Sequence, residues 1–445
     1  TASGNSAYGY QAMDAITTGD NNTAMGFGAL GANTTASSNT AVGKDALLIS
    51  TTGGSNVAIG VSALAANTTA ATNVAVGALA LTTNSTGAAN VGIGYQALED
   101  NTTGENNVAI GREALEDNTT ANYNVAIGSY ALQKNTTGAQ NIAIGGQAAD
   151  ANTTGTRNIA IGYTAYSASD TENDNLAIGY AAMITNTAGG TKNIAIGNYA
   201  LDALTSGDGN IAIGINAGGT ITTAVNNIAI GRKAMKLTTT GGYNVGIGQD
   251  AMEANTTGDS NVAIGMNAFA LNTTGAANVA IGRNALDANT TAGHGTAIGY
   301  NALTANTTGE WNVAIGRQAM ETSTTIAETV AVGSKALRLN TAAGNTAIGH
   351  ATLENTSTGA NNTAVGSQAL KDNTTGATNV AIGKDALGSN TTANQNIAIG
   401  VSALALNTTG ARNIAIGHSA LDACDTESDN IAIGFEAMTT NNAGG

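Results

Sequence analysis

Few residues in this chain have the type and spacing to do chemistry, and the most conspicuous are carboxylates. Asp170, Glu172 and Asp174 alternate within Ser169-Asp170-Thr171-Glu172-Asn173-Asp174-Asn175, and the alternation returns at Asp425, Glu427 and Asp429. Carboxylates at every second position of an extended loop place their oxygens on one side, a donor set suited to a hard cation such as calcium. The spacing is not that of an EF-hand, and it lacks the glycine such a loop turns on. Nor does it match the glycine-rich nonapeptide of calcium-binding β-helical repeats. A solvated acidic loop explains the same residues, so calcium is the one cofactor this sequence suggests and no other is implied.

Tyr95, Arg112, Tyr163, Tyr180, Arg232, Arg283, Tyr300 and Arg317 each follow a glycine at an otherwise variable position. Aromatic and arginine enrichment marks contact surfaces, to a ligand or to a sister chain, although exposed residues of no particular role would look the same. Asn101, Asn118 and Asn135 open Asn-x-Thr sequences that match the N-glycosylation acceptor. Turn chemistry explains their repetition better. His294, His350 and His418 are isolated, so no nucleophilic triad can be assembled. A glycosidase-like carboxylate pair would lack a sugar-stacking environment, because aromatics are only 3% of the chain. The sequence therefore reads as a protein that is not an enzyme.

What positions these residues is a repeat. The pentapeptide Asn-Val/Ile-Ala-Ile-Gly returns nearly every 17 residues, and its closing glycine includes Gly60, Gly94, Gly111, Gly128 and Gly145. One residue is inserted before Gly197 and one deleted before Gly349, and 26 units fill the chain. A short strict period means a solenoid whose units pack on their neighbours. Seventeen residues are too few for a helix, a strand and two turns, so the coil must be strand and turn, with Asn101-Thr102-Thr103-Gly104 as a turn. Val108 and Ile110, two apart, share one strand face, expected to be the coil interior. The residue between them is Ala in 24 units and Gly in two. Uniformly small residues on the opposite face predict burial between chains, with Ala58, Ala75, Ala109, Ala126 and Ala143 at that interface. A coil so flattened that both faces are interior is the alternative. Stacking would align Asn56, Asn73, Asn90, Asn107, Asn124 and Asn141 into an amide ladder.

Composition narrows the class. Net charge is −15 with scattered basic residues, which argues against tracking a phosphate backbone. No stretch approaches the roughly 18 apolar residues of a membrane-spanning helix. The single Cys424 excludes an intrachain disulfide. A super-repeat of about 255 residues is visible, in which the end of the chain, Asn442 to Gly445, matches Thr187 to Gly190. No polar capping unit appears at either end, so the sequence predicts a window of a longer fibre or subunits stacking end to end.

The run Asn107 to Leu115, Asn-Val-Ala-Ile-Gly-x-x-Ala-Leu, resembles the head repeats of trimeric autotransporter adhesins. Asn362 to Leu370 is similar to the Asn-Thr-Ala-x-Gly-x-x-Ala-Leu repeats of phage tail fibres. The resemblance implies a parallel β-roll that trimerises through its faces, although the adhesin repeat is shorter than this one. The expectation is thus an all-β parallel solenoid over residues 1–445 as one continuous domain of about 26 coils, self-associating as a homotrimer. It would serve as shaft or adhesive head of an extracellular fibre, on a cell surface or a virion tail, with a host-surface or matrix ligand. Neither nucleic acid nor a membrane span enters that expectation.

Overall fold

A computed structural model describes residues 2–186 and 189–439 and divides the chain into two compact units, Thr1–Val225 and Asn226–Gly445. The segments that match across the super-repeat at Thr187-Ala188 and Asn442-Ala443-Gly444-Gly445 lie outside the described residues. The first unit holds three-residue strands β1 (Ser6–Tyr8) to β13 (Ile211–Ile213), and the second holds β14 (Ile228–Ile230) to β26 (Ile431–Ile433). Within each unit every strand pairs in parallel with the strand one coil on. Thus β7 (Val108–Ile110) sets Val108, Ala109 and Ile110 against Val125, Ala126 and Ile127 of β8 (Val125–Ile127). The longer coil between β11 (Leu176–Ile178) and β12 (Ile194–Ile196) keeps this register, as does the shorter one between β20 (Val330–Val332) and β21 (Thr346–Ile348). Each unit is a parallel β-solenoid, and no helix occurs among the described residues.

The coil from Gly94 to Ile110 shows why these residues fold this way. Its buried residues are Ala97, Leu98, Asn101, Gly104, Asn107 and Ala109. Ala109, like Ala58, Ala75, Ala126 and Ala143, is wholly buried within its own chain, so the alanine row is coil interior and not an interchain face. The cause is width. A methyl at Gly92, in the same row, would lie 3.3 Å from the Leu81 side chain and 3.1 Å from the Ala97 carbonyl oxygen. Nothing larger than alanine fits there, and the bulkier Val108 and Ile110, expected inside, face outward.

The recurring glycine is required by the stack. Gly60, Gly94, Gly111, Gly128 and Gly145 have φ between 136° and 140°, and a methyl on any of them would sit 2.3 to 2.5 Å from the next coil's glycine carbonyl oxygen. Less expected are three left-handed non-glycine residues in the same coil, Gln96, Leu98 and Asn106, with φ of 56°, 56° and 59°. Such conformations are uncommon for residues with a Cβ. Axial hydrogen bonds fix them here: Gln96 N donates to Ala78 O, Leu98 N to Ala114 O and Asn106 N to Ala88 O, at 3.0 to 3.1 Å.

Two asparagine columns complete the interior. Asn107 N donates to Asn90 Oδ1 (3.0 Å), its Nδ2 donates to Ala121 O (2.8 Å), and its Oδ1 accepts from Asn124 N (2.9 Å). In the turn column Asn101 Nδ2 donates to Asn84 Oδ1 (2.7 Å) and to Gly104 O (3.0 Å). Amide-to-amide bonding is thus the rule for the turn column, whereas the strand column binds mainly backbone. Buried amides cost free energy unless paired, and stacking pairs them repeatedly. The strand column is broken at Gly295, which leaves Asn278 Oδ1 only the Gly295 N–H (2.8 Å) and returns no amide to the following coil.

Gly111→Ala is expected to destabilise the fold by about 2–3 kcal/mol, the range for a severe backbone outlier, seen as a lower midpoint in urea unfolding. Gly295 has no left-handed φ, and Gly295→Asn should restore the column between Asn278 and Asn312, with Thr329 still interrupting it one coil further on. Differential scanning calorimetry should then show a stabilisation of about 1 kcal/mol, the net worth of a buried hydrogen bond.

Candidate functional site

Inverting the strand puts an apolar surface on the outside, whose first row gives way to Ser6, Thr23 and Thr40 at the start of the first unit and to Thr296, Thr346 and Thr363 in the second. On every coil the first and third strand residues project outward. Ile59, Ile93, Ile110, Ile127 and Ile144 are 37–40% exposed, and the Val57, Val74, Val91, Val108 and Val125 row beside them is half-buried. In the second unit Ile264, Ile382, Ile399 and Ile416 continue the pattern. Thirteen strands at about 4.8 Å, each roughly 10 Å wide, make a face on the order of 600 Å² per unit. That exceeds the few hundred Å² at which a contiguous apolar patch ordinarily marks an interaction site. Sequence reasoning missed this face because it placed the larger side chains inside.

One edge of the face carries the predicted aromatic and arginine positions. Tyr95, Tyr163, Tyr180 and Tyr300 are exposed, as are Arg112, Arg232, Arg283 and Arg317. Several form axial contacts: Tyr163 stacks on Tyr180 with centroids 5.9 Å apart, and Tyr180 meets Tyr199 edge-on at 5.3 Å. Arg112 lies 5.3 Å over the Tyr130 ring and pairs with Glu113 at 2.7 Å, and Arg232 reaches Asp250 at 3.4 Å. The structure brings this row together as a flank of the apolar face.

The acidic segments are built differently from the expected one-sided loop. Glu172 stands where most coils have Gly or Ala, and it is turned inward and buried. Its Oε2 accepts from Ser169 Oγ (3.1 Å), Asp170 N (3.1 Å) and Thr171 N (3.2 Å), and its Oε1 accepts from Gly189 N (3.0 Å). Asp174 is held by Arg157 at 2.6 and 3.0 Å, while Asp170 points to solvent. In the second copy Arg412 holds Asp429 at 2.7 Å, Asp425 Oδ1 accepts from Thr408 Oγ1 (2.6 Å), and Glu427 Oε2 accepts from Asp425 N and Thr426 N. No group of three such residues is arranged to hold a metal among the described residues. Here the carboxylates cap a turn whose usual asparagine has become Ser169 or Cys424. The preceding Asn152 Oδ1 and Asn407 Oδ1, which would accept from that asparagine, are left without a partner. Burial, assisted by Glu427, pushes the Cys424 thiol up to about 11.

Asn101, Asn118 and Asn135 are fully buried with Nδ2 engaged in the turn column, which leaves no amide free for a glycan in the folded coil. His294 stacks on Trp311 at 4.1 Å and His418 on Phe435 at 5.3 Å. No helix of the described residues is long and apolar enough to cross a membrane. No protein-family model matches this chain, and no curated protein matches it.

Backbone N–H groups, first that of Glu427 itself and then that of Thr426, hold the Glu427 carboxylate below its usual range. A lowered folded value contributes stability above the unfolded carboxylate range, and that stability is lost as pH falls through the folded value. Hydrogen exchange at Asp425 and Thr426, corrected for intrinsic rate, should keep its protection through the ordinary carboxylate range and lose it only as pH falls further, through the lowered folded value. Glu427→Gln should remove that acid step. Calcium should leave the melting temperature of the wild-type chain unchanged, because Glu172, Asp174, Glu427 and Asp429 already have partners.

Proposed function

We propose that this chain is a structural repeat segment of an extracellular fibre, acting as shaft or adhesive head in surface attachment, with copies associating as a homotrimer. The observation that supports it most is the outward Val/Ile face, an apolar strip that runs the length of each unit's sheet. Three such strips turned toward a common axis would set each chain's valine row against a neighbour's isoleucine row, using both rows of every chain. At roughly 600 Å² per unit, the strip is larger than the apolar patches that ordinarily mark an interaction site. The work is mechanical rather than catalytic. Many identical coil-to-coil bonds sum into a stiff element, and the variable flank with Tyr95, Arg112 and Tyr163 is free to contact a host surface or matrix. The tail-fibre-like repeat at Asn362 to Leu370 supports a virion fibre as readily as a cell-surface one.

Light scattering across a concentration series should give a trimer mass for the wild-type chain. Ile110→Lys, Ile127→Lys and Ile144→Lys combined should weaken or abolish assembly while the circular dichroism spectrum keeps its β character. A wild-type chain that stays monomeric at all concentrations would overturn the assignment of this face.

A further inference from the structure

A groove of about 450 Å³ opens on the first unit away from the strand face, between the segments that follow β1, β2 (Thr23–Met25) and β3 (Thr40–Val42). Its origin is a local departure from the repeat. Gly28 and Gly31 occupy the coil positions that Gln96 and Glu99 hold elsewhere, so one coil lacks both side chains while its neighbours keep theirs. Beside Gly31 stand Asp14 on one neighbouring coil and Leu48 on the other, and beside Gly28 stand Gln11 and Asp45. Leu48 and Asp45 lean into the space. A methyl built on Gly31 would lie 3.6 Å from Leu48 Cδ1, and one on Gly28 would lie 2.7 Å from Asp45 Oδ1. Phe27 and the exposed Ile49 close the apolar wall.

We propose that this groove binds a small organic cation, an amine or guanidine carried on a short apolar body. The volume falls within the range of ligand sites, and apolar walls with a few convergent polar groups are their usual construction. The apolar body would lie against Phe27, Leu48 and Ile49, and the cation would lie between Asp14 and Asp45 beside the aromatic ring. Asp14 has no counter-charge among the described residues. Asp45 has Lys44 only at 3.6 Å, on a largely exposed side chain, a contact worth little. The second unit supplies a built-in control. Its groove of about 250 Å³ lies at the same coil positions, with Gly388 in place of Gly31 and Gln368 in place of Gln11. Lys371, however, stands where the first groove has Asp14, Asp385 fills the position that Gly28 leaves open, and the carboxylates of Asp372 and Asp385 have lysines beside them in Lys371 and Lys384. A cation is therefore expected in the first groove alone.

Isothermal titration of the whole chain with 2-phenylethylammonium, against its neutral counterpart 2-phenylethanol, tests this. The expected result is one site per chain, with the alcohol bound at least about tenfold more weakly, the worth of one charge-assisted hydrogen bond. Asp45→Asn should weaken the ammonium by a similar factor. Gly31→Gln, which installs the residue that Gln133 carries at the same coil position, should abolish binding while leaving the melting temperature unchanged. Equal binding of the alcohol, two sites per chain, binding that survives Gly31→Gln, or no saturable binding through the millimolar range would each overturn the proposal. None of these outcomes depends on the oligomeric mass, so the groove and the fibre reading fail separately.

Discussion

Everything in this molecule depends on the axial hydrogen bond that repeats at strand spacing around the whole coil. Strands are only three residues long, yet turn residues such as Leu98 and Thr102 also donate to the coil beyond. Once the backbone is bonded on nearly every side, each residue must sit directly over its counterpart one coil away. That condition dictates the composition. Glycine stands where carbonyls of successive coils nearly touch, and asparagine where an amide must both give and receive along the axis. Threonine stands where a hydroxyl can bond the next carbonyl, as Thr102 Oγ1 does to Thr119 O at 3.0 Å.

The same condition makes the interior thin. One leucine, two alanines and two asparagines fill the Gly94 coil, so apolar burial per coil is modest and amide pairing shares the task of excluding water. Larger aliphatics that a globular domain would bury are displaced to the surface, where they line up by the same register. The apolar face is thus a by-product of stacking before it is an interface. Individual character gathers at the turns, where the Tyr and Arg row and the glycine groove face solvent and the acidic turns carry their odd residues, Glu172 and Cys424, inside.

Much of this was legible in the sequence, for identifiable reasons. The period, the strand and the glycine requirement could be read because slippage by one residue would break every column at once. The exposed placement of Tyr95 and Arg112 could be read from their variability. The side of the strand could not. Alternation tells which residues share a face but not which face is inside, and the rule that bulkier apolar residues go inward fails in a coil where Ala109 packs toward a leucine. The inward turn of Glu172 left a signal that went unread, its position at a site otherwise held by Gly or Ala. Left-handed backbone at Gln96, Leu98 and Asn106 left none, because three different residue types adopt it under tertiary constraint.

The asparagine columns also bear on how the protein ages. Asparagine chains decay chemically when the next residue's backbone nitrogen attacks the side-chain amide carbon to form a cyclic imide. In the strand column that nitrogen belongs to Val108, which donates to Asn124 O at 2.8 Å, and in the turn column to Thr102, which donates to Thr119 O at 2.9 Å. Both the attacking atom and its target are pinned, with the side chain locked between neighbouring coils. Folding thus holds the asparagines of both columns out of that reaction.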